Sequence, residues 1–186
     1  MKMKNKLIIL AVFILGLNLV ATSQSKDLEY SNVLNHEVKV DGLYLLLGNI
    51  EASYESLLSN ESSVGISLMM PFDDYISWKI KFAATGYYRF HFGDGYADGF
   101  FLEGFTMLNR VEDRVTRTAA FGETFRRTKN ITDLALGLGA GYKLVSSGGV
   151  ILEFHAGVGR NLFSGDNDNR NFNYIFRGGV NVGYRF

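Results

Sequence analysis

The side chains best able to do chemistry here are a histidine beside a carboxylate and a set of alternating charges. Glu153 and His155 stand two residues apart, and His91 lies far from them along the chain. An imidazole paired with a carboxylate can move protons or hold a metal. This spacing lacks a nucleophile, because the next residue on the same side of a strand is Gly157. The sequence contains no cysteine, which removes thiolate zinc sites, disulfides and thiol nucleophiles. Asp166 and Asp168 are spaced like the first ligands of a calcium loop. Asn171, however, stands where that loop needs glycine, and Arg177 where it needs a bidentate carboxylate. The glycines of Gly137-Leu-Gly-Ala-Gly141 fall on one strand face rather than in a phosphate-binding turn. The sequence therefore predicts no enzyme, no cofactor and no metal site.

The charges form a pattern once the elements that carry them are read. Over 78–92, Trp78, Ile80, Phe82, Ala84, Gly86, Tyr88, Phe90 and Phe92 alternate with Lys79, Lys81, Ala83, Thr85, Tyr87, Arg89 and His91. A period of two is a strand with one apolar and one polar face. Over 172–186 the even face carries Phe172, Tyr174, Phe176, Val180, Val182, Tyr184 and Phe186, against Asn173, Arg177, Asn181 and Arg185. The same phase runs through 50–55, 64–70, 100–109, 133–143 and 150–159. Between these strands, 58–62, 93–98 and 145–149 are short, while 71–77, 110–130 and 160–171 are longer and richer in charge. Short turns at one end and long loops at the other are the habit of a membrane barrel. Seven strands counted back from the C-terminus require an eighth before Ile50, and 37–45 is the only stretch left, with a turn near Gly48 and Asn49. The expected fold is all-β: a closed antiparallel up-and-down transmembrane barrel of eight strands.

Turning Lys81 or Arg177 toward hydrocarbon would cost about 2–4 kcal/mol each, so the odd positions are expected to face inward. That places Glu51, Glu55, Glu103, Asp133 and Glu153, with His155, against Lys79, Lys81, Arg89, Lys143, Arg177 and Arg185 in the lumen. An eight-stranded lumen is only wide enough for side chains to fill, and nearly cancelling charges predict a salt-bridged plug. Tyr54, Tyr142, Trp78, Phe172 and Tyr184 near strand ends fit the aromatic girdles of a bilayer interface.

The rest of the chain says where such a barrel goes. Lys2, Lys4 and Lys6 precede an apolar run over 7–20 and then Ala21-Thr22-Ser23-Gln24. This is the pattern of a cleaved signal peptide over 1–23, too short to span a bilayer. Its removal takes three lysines from a chain with 19 basic and 19 acidic residues, leaving 16 against 19. That balance excludes the charge excess of a nucleic-acid binder. Residues 24–35 read as a short periplasmic lead and 36–186 as a single barrel domain. At 186 residues, 47% apolar and mean hydropathy +0.03, the chain is too apolar to be disordered.

Val180, Val182, Tyr184 and the terminal Phe186 alternate as in the last strand of outer-membrane barrels, with Asn181 where glycine is frequent. On that strand, the signal and the loop asymmetry, the mature chain resembles the small outer-membrane β-barrel domain family, in architecture like the OmpA membrane domain. The resemblance implies residence in the outer membrane amid lipid and lipopolysaccharide, and insertion by the barrel assembly machinery. It implies location strongly and activity hardly at all; the residues themselves predict a structural or surface-interaction role, with no reaction. Two other roles fit the pattern: a narrow channel for ions or small solutes, and a periplasmic lipocalin-like barrel with its apolar face inside. The segment 110–130 holds six basic and three acidic residues. It suits a solvated hairpin turning near Gly122, or a contact with lipopolysaccharide phosphates or a surface partner.

Overall fold

The computed structural model describes residues 34–73, 80–118, 124–163 and 174–186, with the backbone alone over 112–118 and 124–131. The signal segment 1–23, the lead as far as residue 33, Trp78, Lys79, Phe172, the Gly122 turn and the 164–171 loop lie outside these residues. Eight strands follow in order: β1 (His36–Asp41), β2 (Asn49–Leu57), β3 (Ser62–Pro71), β4 (Ile80–His91), β5 (Gly99–Thr118), β6 (Thr124–Val145), β7 (Val150–Asn161) and β8 (Tyr174–Arg185). Each pairs antiparallel with its neighbour in sequence, and β1 pairs with β8, so the sheet is a closed up-and-down barrel.

Parity decides which side chains face which way. Lys39, Glu55, Arg89, Lys143 and Glu153 on the odd face are almost fully buried, whereas Leu138 and Phe176 on the even face are 73% and 77% exposed. Ile66, Phe90, Leu102, Tyr142, Phe154 and Tyr184 are exposed on the same outer wall. A soluble calyx needs the reverse, with its apolar face around the ligand and its charges in water. This barrel therefore has its charges inside and its greasy residues outside.

Two local readings are corrected by the structure. The first strand ends at Asp41 instead of continuing to Leu45, and a helical turn, α1 (Gly42–Leu46), follows it. The run Leu43-Tyr-Leu-Leu-Leu47 does not alternate, and leucine is a good helix former. Asp41 caps the turn, its carboxylate accepting from the Tyr44 amide at 2.8 Å. Gly48 ends it at φ +83°, the left-handed conformation that glycine adopts without cost. Second, the even-out rule breaks at the top of β4. The register between β4 and β5 shifts between Ile80 and Phe82, and Ile80 packs against the inner apolar cluster rather than on the wall. The hairpin expected over 110–130 is present, because β5 and β6 stay paired out to Thr118 opposite Thr124.

The shortness of β1 leaves a seam to be filled. His36 and Phe186 exchange both backbone hydrogen bonds, at 3.1 and 2.8 Å, so the even residues of β8 present their amides and carbonyls to this side. Beyond Asn181, which lies opposite Asp41, β8 has no strand partner on this side among the described residues. The helical turn α1 packs against this part of β8, with the Asp41 carboxylate beside Gly179. Gly179 is required beneath it, since a Cβ there would fall on the Asp41 carboxylate. Gly179→Ala is expected to lower stability by about 1–3 kcal/mol, read from the midpoint of a denaturant titration in detergent. Gly104→Ala on the outer wall, where a Cβ meets nothing within 4 Å, is expected to stay within about 0.5 kcal/mol.

Candidate functional site

The site that the fold builds is the lumen, and by position along the strands it has two layers. Nearer the end where β1 begins and β8 finishes lies a charged network. Lys39 donates to Glu55, to Glu153 at 2.7 Å and to Glu37 at 3.3 Å. Lys143 donates to Glu37 at 2.8 Å and to Glu55 at 2.7 Å. Arg89 spans four strands, donating to Glu55 at 2.7 Å and to Glu103 and Glu153 at 2.8 Å. Arg177 donates to Glu103 at 2.6 Å and stands 3.5 Å from Glu51. Both carboxylate oxygens of Glu37, Glu55, Glu103 and Glu153 are thereby engaged, the second oxygen of Glu153 by Asn181 at 2.9 Å. A buried ionic network is tolerable only when it is satisfied in this way.

The aromatic residues around the network make it fit. The Arg89 guanidinium lies 4.3 Å from the ring centres of both Tyr87 and Phe101. Tyr87 crosses the space above Gly65, its register partner on β3. Phe105 fills the space left by Gly137, Gly157 and Gly159. The second layer is apolar: Met69, Ala83, Tyr87, Phe105, Met107, Ala135 and Ile175 form one cluster. Beyond it, Asn109 donates to Asn161 at 3.1 Å.

The opposite end of the charged layer has a floor. The connection 92–98 folds beneath the lumen, burying Ala97 at φ +46°. Arg185 donates to the carbonyls of Tyr96 at 2.6 Å and Ala97 at 3.0 Å, and both its Nε and Nη2 reach Glu37. One arginine thus ties the last strand to the first and to the floor.

Of the residues singled out in the sequence, Glu51, Glu55, Arg89, Glu103, Lys143, Glu153, Arg177 and Arg185 meet in this network, and His155 lies beside it, its Nδ1 3.2 Å from Asn181 Nδ2. Asp133 accepts from the amides of Leu134 and Phe163 at 2.8 and 3.1 Å, and Lys81 sits half-buried at the β4 irregularity. Lys79 lies outside the described residues. Glu37 and Lys39 were missed, although Glu37, Lys39 and Asp41 alternate with Val38 and Val40 in the same odd phase as the rest. Six residues are too few for that alternation to stand out.

Two arrangements resemble chemistry and lack a part of it. Ser63 Oγ lies 3.0 Å from His91 Nε2, the contact of a serine nucleophile with its base. The carboxylate that would orient the ring belongs on Nδ1, yet Glu55 stands 3.8 Å from Nε2, and Nδ1 has no hydrogen-bond partner among the described residues. Glu37, Glu55 and Glu153 bring one oxygen each within 4.8 Å of one another, a spacing that suits a metal ion. The Lys39 ammonium bonds all three, and so occupies the centre where a cation would bind.

No family model matches the chain, and no curated protein does. Among solved structures it is similar to the N-terminal beta-barrel domain of Pseudomonas aeruginosa OprF, with 14% identity over 82% of this chain and 98% of that one, at a TM-score of 0.45.

Because Glu55 serves Lys39, Arg89 and Lys143 together, Glu55→Ala leaves three buried cations short of a partner. The expected loss is about 3–5 kcal/mol in a denaturant titration of the folded barrel. Glu55→Gln combined with Lys143→Met restores the charge balance and is expected to recover part of that loss, a coupling that a double-mutant cycle measures.

Proposed function

We propose that this chain is an outer-membrane β-barrel of structural or surface-interaction type, with a lumen plugged by its own salt bridges. The observation that carries the reading is the inversion of its faces. Leu138, Phe176, Ile66, Phe90 and Leu102 stand exposed around the outside while Lys39, Glu55, Arg89, Lys143 and Glu153 are buried within. Water would penalise such a wall, whereas hydrocarbon rewards it. Closure supports the same reading, because a sheet in lipid cannot leave an edge unpaired. Among the described residues no helix is long and apolar enough to cross a membrane.

On this reading residues 1–23 are the export signal, cut after Ser23. The barrel assembly machinery is the partner during insertion, through Val180, Val182, Tyr184 and Phe186. Lipid and lipopolysaccharide surround the finished wall. The ends of β1 and β8 face the periplasm, and the β5–β6 hairpin faces outward from the cell. No reaction is assigned, and a plugged lumen passes no steady current.

Expressed with its leader in a Gram-negative host, the protein is expected in the outer-membrane fraction, with an N-terminus at Gln24 and faster gel migration before boiling than after. Recovery from the periplasm without detergent would overturn the reading. Leu138→Arg is a sharper test. It should cost about 2–4 kcal/mol in a bilayer, whereas on a water-exposed wall the same change is neutral. In planar bilayers the wild type is expected to be silent, and steady conductance would favour the channel.

A further inference from the structure

Among the described residues, the distal part of the β5–β6 hairpin has no neighbouring strand beside it. β4 ends at Ile80 opposite Val111, but the β5–β6 ladder runs on from Glu112 opposite Asn130 to Thr118 opposite Thr124. At about 3.4 Å per rung, these rungs form an arm on the order of 20 Å long beyond the wall.

Charge is sorted along this arm. The two rungs nearest the barrel, Glu112 opposite Asn130 and Asp113 opposite Lys129, carry the acids of the paired segment. The rungs beyond, from Arg114 opposite Thr128 to Thr118 opposite Thr124, carry Arg114, Arg117, Arg126 and Arg127 and no acid. Opposed residues share a face, and faces alternate from rung to rung. Arg117 and Arg127 therefore share one face at diagonal positions, and Arg114 and Arg126 share the other. Diagonal neighbours stand about 7–8 Å apart, close enough to serve one phosphate jointly. Without an anion, like charges at that spacing destabilise the ribbon. All four are arginine, whose planar fork matches phosphate oxygens in a way that lysine does not.

We propose that the distal half of this arm binds the phosphorylated saccharide headgroups of outer-leaflet lipopolysaccharide, each face offering one arginine from each strand to a phosphate. The proposal rests on the outer-membrane reading, which sets the arm among those headgroups. Lipid is favoured over a soluble polyanion because the arm rises directly from the wall that the lipid surrounds.

The test uses the mature protein, folded in detergent and verified by its gel shift, with rough lipopolysaccharide and the same lipid after enzymatic dephosphorylation. Wild type is expected to bind the phosphorylated lipid about tenfold more tightly than the dephosphorylated one, with the preference weakening as salt rises. R114Q/R117Q/R126Q/R127Q is expected to lose that preference, and R114Q/R126Q or R117Q/R127Q to lose part of it. E112Q/D113N is expected to keep it. Equal binding by wild type and the quadruple variant overturns the proposal, as does equal binding of both lipids or tighter retention on heparin than on lipopolysaccharide. Membrane fractionation separates the two levels. A wild-type protein absent from the outer membrane overturns the location, whereas a correctly inserted barrel whose arm is indifferent to phosphate overturns only the arm.

Discussion

In a closed sheet whose side chains alternate, every second residue is committed to one shared interior, and an eight-stranded interior has no room for a hydrated charge. Charges placed there must neutralise one another by direct contact. Glu37, Glu51, Glu55, Glu103 and Glu153 meet Lys39, Arg89, Lys143, Arg177 and Arg185, five of each sign. The contacts cross between strands: Lys39 joins β1 to β2 and β7, and Arg89 joins β4 to β2, β5 and β7. Register and neutralisation are therefore one condition. A slip of one residue in any strand would carry its charges to the outer wall and orphan their partners inside.

The same condition explains the treatment of the seam. β1 is the shortest strand and supplies only part of the pairing that β8 needs. Two of its inward charges, Glu37 and Lys39, reach Arg185, Lys143, Glu55 and Glu153, so its ionic contacts offset its short ladder. Where the ladder stops, the Asp41 carboxylate lies beside Gly179 of β8. A polar backbone edge facing an apolar surrounding needs cover, and here the helical turn α1 packs against it.

The barrel itself was legible because period-two alternation survives over long segments such as 78–92 and 172–186, and because lysines and arginines on one parity fix which face turns inward. Legibility failed where alternation was short or interrupted. Glu37 and Lys39 sit in a strand of six residues. The helical turn was written in Asp41, the leucine run and Gly48, but cap, run and terminator together span barely two turns, and the neighbouring strand pattern overrode them. Ile80 was misplaced because an irregularity at Lys81 reverses parity without leaving any trace in residue type. Partners across the lumen, such as Ser63 with His91 or Arg185 with the floor carbonyls, depend on closure and cannot be read from any one segment.

The division between interior and arm also bears on where specificity can reside. An inward residue answers to several partners at once: removing Glu55 strands three cations, and replacing Gly65, Gly137 or Gly141 drives a Cβ into Tyr87, Phe105 or Phe101. Such positions are mutually locked, and few single changes there leave the barrel intact. Among the described residues, the distal β5–β6 rungs pair with each other and with no third strand. In a chain whose lumen network sets five acids against five bases, the arginines of that arm are the charges we propose it offers to a partner.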